Sequence, residues 1–113
     1  MKITIVDRAP RFEIVDGVEI ILIGIGEKMM LSKIILKPNT ILPNHNHPNE
    51  QIGICVNGSG TMISGGTSYH VHSGVSWTIP AYEEHSFESK GEIPVIIYEG
   101  WSPPREDYKK MAK

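Results

Sequence analysis

The sequence is short of several things, and each shortage excludes a class of protein. It has one cysteine, Cys55, in 113 residues, so an intrachain disulfide is impossible and a reducing, cytoplasmic address is expected. Neither sign of charge dominates: 11 Lys and Arg against 13 Asp and Glu leave a formal net charge of −2. That balance offers no basic footprint for nucleic acid. The longest apolar patch near the N-terminus, Ile20 to Ile25, is far too short to span a bilayer, and Met1-Lys2-Ile3-Thr4-Ile5 lacks the apolar core of a signal peptide. Helical periodicity is missing from every stretch before Pro104. The only strongly charged stretch, Arg105 to Lys113, reads as a solvated tail or a short helix opened by Pro104. The length suits one domain, residues 1–113, with a core of its own and is too small for two.

What the sequence does have is punctuation. Eleven Gly and eight Pro divide it into short β-rich runs. Strands are expected at Ile3–Val6, Phe12–Val15, Val18–Ile25, Met29–Leu36, Gln51–Val56, Thr61–Ser64, Thr67–Val71, Val75–Ile79, His85–Ser89 and Ile93–Trp101. Asp16-Gly17 and Gly65-Gly66 read as hairpin turns, and Asn57-Gly58-Ser59-Gly60 as a turn tolerant of positive φ. Turns every eight to twelve residues, with no internal repeat and no linker, predict an all-β sandwich or barrel.

The stretch Pro43-Asn44-His45-Asn46-His47-Pro48-Asn49-Glu50-Gln51 carries the chemistry. On extended backbone, residues two apart point to the same side, so His45 and His47 aim at one point. Gln51 joins them from the start of the next strand, and His85 arrives from another strand behind Pro80. Convergence of this kind is a metal-site pattern. Period-2 alternation lets only one of Glu50 and Gln51 face inward. His70 and His72 repeat the spacing without a third partner and read as strand-surface histidines. Cys55 shares the inward face with Gln51 as a small core residue rather than a nucleophile. Gly53, between them, either leaves space beside the centre or serves packing.

These residues resemble a known family. His45-Asn46-His47, then Gln51 and Gly58, resembles the first cupin motif, and Gly74, Pro80 and His85 resembles the second; the motifs span about residues 36–87. The resemblance implies a double-stranded β-helix (cupin jelly-roll) barrel ending in a short C-terminal helix or tail, and a homodimer. It also implies a divalent transition metal held by His45, His47, Gln51 and His85. The fourth ligand is commonly glutamate. Gln51 holds the matching position here, with Glu50 beside it. Zinc, nickel, manganese or iron suits such nitrogen and oxygen donors, as does copper. Three imidazoles and a carboxamide would leave the full dipositive charge on the ion, favouring an anionic partner. Asn39-Thr40 and Tyr82 stand where the family usually has glycine, and Tyr82 is a candidate to cap the site and contact substrate.

The C-terminal stretch Tyr98-Glu99-Gly100-Trp101-Ser102-Pro103-Pro104-Arg105 resembles the pectin-degradation cupins, which linearise 4,5-unsaturated uronates. The resemblance casts Glu99 as general acid or base, Arg105 as clamp for a substrate carboxylate and Trp101 as a flat wall for a sugar ring. Glu replaces the usual Asp and Trp the usual Phe. The expected function is therefore ring-opening of an unsaturated uronate or a related small-molecule sugar acid. The alternatives are a cupin dioxygenase and a non-catalytic sugar- or metal-binding cupin.

Overall fold

The computed structural model describes residues 1–113. Ten strands form two antiparallel sheets: β1 (Arg11–Val15), β2 (Val18–Ile25), β3 (Met30–Leu36), β4 (Ile41–His45), β5 (Glu50–Asn57), β6 (Ser59–Ser64), β7 (Thr67–His72), β8 (Ser76–Ile79), β9 (His85–Lys90) and β10 (Val95–Ser102). One sheet has six strands in the order β1-β2-β3-β10-β5-β8, and the other four in the order β4-β9-β6-β7. The helix α1 (Glu106–Met111) follows Pro104, as that proline predicts. The all-β jelly-roll architecture expected from the sequence is the one observed.

Alternation builds the core. Along β5, Glu50, Ile52 and Ile54 face out while Gln51, Gly53 and Cys55 face in. Ile20 and Leu22 of β2, Ile34 and Leu36 of β3, and Ile97 of β10 are buried with Met62, Val71 and Phe87 of the other sheet. Among these apolar side chains the buried polar residues Gln51, Glu99 and His85 line one common cavity.

Four expectations need correcting. Ile3–Val6 is not a strand: Val6–Arg8 is a 3-10 turn, and Ile3 and Ile5 are exposed because no neighbouring strand pairs with them. A strand does form at Ile41–His45, hidden in the sequence by Pro43 in its middle. It lies at the edge of its sheet, where a missing N–H is tolerated, and its register slips between Leu42 and His45. Ser59 and Gly60 belong to β6 rather than to the preceding turn. Finally, β10 starts after Pro94, not before it.

The two departures from the family's glycines share a backbone explanation. Asn39 has φ +55° and Tyr82 φ +66°, the left-handed region that glycine enters without a steric penalty. Asparagine tolerates it. Tyr82 is there against its own preference, held by its N–H donating to the His47 carbonyl at 2.8 Å.

Gly60 marks the tightest approach between strands of the smaller sheet. A Cβ there would lie 2.5 Å from Phe87 Cζ and from the Glu88 carbonyl oxygen. Gly60→Ala should therefore destabilise the fold by about 1–3 kcal/mol through overpacking, lowering the urea midpoint. An unchanged midpoint would mean that Phe87 and the β9 backbone yield freely.

Candidate metal centre

Three histidines come together. His45 ends β4, His85 opens β9 and faces it in register, and His47 follows in the loop before β5. Their ring centroids are 4.3 Å (His45–His85), 5.0 Å (His47–His85) and 5.9 Å (His45–His47) apart. One ligating atom from each lies within 4.8 Å of the others, so the triad can hold a metal ion.

The tautomers follow from the backbone. His45 Nδ1 is 2.7 Å from the Pro43 carbonyl, His47 Nδ1 2.9 Å from that of Asn49, and His85 Nδ1 2.8 Å from that of Glu83. A carbonyl oxygen only accepts, so each Nδ1 carries the proton and donates it. Burial pushes all three imidazoles below their ordinary range, His85 to about 4, so the rings are neutral at pH 7. Each Nε2 is then a bare lone pair. His85 Nε2 is buried with no partner at all.

Gln51 completes the set. Trp101 Nε1 donates to Gln51 Oε1 at 3.1 Å, and Gln51 Nε2 donates to Glu99 Oε2, so the amide is oriented from both sides. Its Oε1 lies 2.8 Å from His47 Nε2. That places two acceptors against each other without a proton between them. Such a contact is repulsive unless a cation sits in front of both. The orphaned His85 nitrogen and this acceptor pair fit a divalent transition ion, with His45, His47, His85 and Gln51 as its holders.

A second layer surrounds the donors. Glu99 is buried, and burial raises its carboxyl to about 7 against the opposing pull of Trp77, Gln51 and Arg105. The Trp77 indole donates to Glu99 Oε2 at 3.2 Å. The route is a cross-strand row: Trp77 on β8 pairs with Gly53 on β5, which pairs with Glu99 on β10. A Cβ at Gly53 would meet Trp77 Nε1 at 2.5 Å, so the space expected there is filled by the indole. Trp77 was not foreseen from the sequence. Its signal was only its place opposite Gly53, which needs the register to be known.

Arg105 is buried above this layer. Its Nε and one Nη grip Asp107 at 3.0 and 2.8 Å, which holds the Asp107 carboxyl below its usual range. The guanidinium carbon is 3.7 Å from the Tyr108 ring centroid. The other nitrogen, Nη1, is buried and unpartnered. Trp101 packs edge-on to Tyr108 at 5.4 Å and forms a wall of the same cavity, as do Glu99 and Arg105. Asn49 was also missed; its Nδ2 donates to the Pro103 carbonyl at 2.6 Å, tying the histidine loop to the C-terminal turn.

Other sequence-expected residues lie apart. Tyr82 reaches the centre only through its backbone bond to His47; its side chain is exposed and does not line the cavity. His70 and His72 are exposed on β7, away from the triad. The free space inside the cavity is about 20 Å³, room for one ion or one water.

Replacing His45, His47 or His85 by Ala should each weaken zinc binding by at least about 100-fold, since even outer hydrogen-bond partners are worth roughly 10–100-fold. Trp77→Phe, which loses the donor to Glu99 and part of the ring packed on Gly53 but no metal donor, should keep the ion. Metal analysis of the purified variants distinguishes them. Full stoichiometry in all three histidine variants would remove this centre.

Comparison with known proteins agrees with the geometry. Solved structures with the same fold include an RmlC-like cupin from Shewanella frigidimarina NCIMB 400, with TM-score 0.86 and 20% identity, covering 96% of each chain. KdgF from Halomonas sp. gives TM-score 0.86 at 18% identity, covering 95% of this chain and 97% of that one. The polyketide cyclase RemF from Streptomyces resistomycificus gives 0.78 at 20%, covering 94% and 82%. At these identities the likeness concerns the fold alone. No curated protein matches the sequence at a significant level. No helix is long and apolar enough to cross a membrane. Residues 32–100, which contain all four donors and Glu99, match the cupin domain model, and the chain belongs to the cupin family.

Proposed function

We propose that this cupin is a metal-dependent enzyme that opens the ring of a 4,5-unsaturated uronate or a closely related unsaturated sugar acid. The observation that carries the reading is Arg105. A buried guanidinium with one free nitrogen, beside a centre whose donors are all neutral, is a receptor for an anion. The resemblance of Glu99, Trp101 and Arg105 to the C-terminal residues of the pectin-degradation cupins supports the same substrate class. The whole-length structural likeness to KdgF agrees in fold.

The bound ion would supply Lewis acidity toward the substrate's carboxylate or a ring hydroxyl. The chain's own residues do the rest. Arg105 Nη1 receives the carboxylate and orients C4 and C5 of the ring. Glu99, whose carboxyl is raised to about 7, is protonated in about half of the molecules at neutral pH and delivers that proton to C4 of the double bond. A water oxygen adds to C5. Its hemiketal collapses by breaking the bond from C5 to the ring oxygen: the added oxygen stays on C5 as the ketone, the ring oxygen takes a proton and stays on C1, and the C1 gem-diol so formed loses one water to give the aldehyde. The net change is isomerisation from ring to chain. The indole of Trp77 keeps water from the far side of Glu99, and Gln51 Nε2 holds its carboxyl in place. With room for one ion inside, the ring engages the centre from the half-exposed side of His45.

The test supplies 4,5-unsaturated galacturonate to protein loaded in turn with zinc, nickel, manganese and iron, and follows loss of ultraviolet absorbance from the double bond. Loss that needs both protein and metal is expected. Glu99→Gln and Arg105→Ala should each lower turnover by at least about 100-fold while metal content persists. Retained turnover in both variants, or no loss with any metal, would overturn the reading.

A further inference from the structure

The two sheets part along one side of the barrel. The strands β7 and β8 are the edges of different sheets, and no ladder joins them. Between them lies a groove of about 520 Å³, far larger than the space at the metal centre and of a size that holds a small-molecule ligand.

Its lining follows from period-2 alternation on the two edges. Tyr69 and Val71 of β7, and Trp77 and Ile79 of β8, supply an apolar and aromatic floor. Ser68 and His70 of β7, and Ser76 and Thr78 of β8, have the opposite sense, are exposed, and add hydroxyls and an imidazole to the lining. The lining contains no Lys or Arg. Its one charged group, Glu83, accepts a hydrogen bond from Ser64 Oγ at 2.5 Å.

A lining that combines aromatic and apolar side chains with hydroxyls and an imidazole, and holds no Lys or Arg, suits one chemistry. A pyranose has an apolar face of C–H groups and an equator of hydroxyls, and a neutral one needs no cation. We infer that the groove between β7 and β8 is a binding site for a neutral saccharide ring, stacked on Tyr69 and Trp77 and hydrogen-bonded at its edge to the polar side chains of β7 and β8. The site is separate from the metal centre but shares a wall with it, because Trp77 and Met62 line both spaces. A sugar seated there presses on the indole that donates to Glu99.

The inference stands apart from the uronate reading, since its ligand is neutral and is not consumed. Two tryptophans make the test direct. The zinc-loaded, nitrogen-15-labelled protein is titrated with methyl galactopyranoside while the indole N–H signals of Trp77 and Trp101 are followed, Trp77→Phe supplying the assignment. A saturable shift of the Trp77 signal is expected, with that of Trp101 unmoved. Tyr69 is exposed, so Tyr69→Ala should keep the fold, as its own spectrum will show, and should weaken binding roughly two- to tenfold through the lost aromatic face. Absence of a saturable shift, parallel shifts of both indoles, or unchanged affinity in Tyr69→Ala would each overturn it.

Discussion

The arrangement depends on a repulsion. Backbone carbonyls of Pro43, Asn49 and Glu83 each take the Nδ1 proton of a histidine, leaving three Nε2 lone pairs converging with the Gln51 carbonyl oxygen. Four acceptors gathered in a largely buried site carry a desolvation cost that a cation in front of them would offset. The chain holds them there because the rest of the barrel, with Leu36, Val18 and Val95 fully buried, supplies the packing that keeps β4, β5 and β9 in place.

Around that centre the protein divides its charges by burial. Arg105 is neutralised on one side by Asp107, and on the other its Nη1 is buried without a partner. Glu99 is made a weaker acid by its burial, while the Trp77 indole, donating to it, pulls the other way. Both depend on side chains with no chemistry of their own. Gly53 leaves room for the Trp77 indole, and Tyr108 gives the guanidinium a flat surface. One tryptophan consequently faces a buried carboxyl on one edge and an open groove on the other.

Much of the centre was legible because its geometry is local. The spacing of His45 and His47 places both on one face of an extended segment, and alternation from Glu50 decides that Gln51 points inward. The hairpins at Gly17 and at Gly65-Gly66 were equally local, since positive φ at these turns is a demand that glycine meets. Less legible were features set by a neighbour. Pro43 argued against a strand at 41–45 until β9 proved to be its only partner. Ile3 and Ile5 alternated like a strand but have nothing to pair with. Tyr82 was expected over the site, yet its backbone does the holding and its ring faces solvent.

The sequence by itself determined the β class, the hairpins, the inward face of β5 and the shared face of His45 and His47, because period and turn chemistry act over a few residues. The tertiary structure alone decided the partners. Strand order brought β8, β5 and β10 side by side, so that Trp77, Gly53 and Glu99 form one row although 22 residues separate Trp77 from Glu99. It also decided that Arg105 keeps a buried nitrogen unpartnered, that Glu99 is buried, and that no ladder joins β7 to β8. Burial and register are properties of the whole assembly, and no window of sequence contains them.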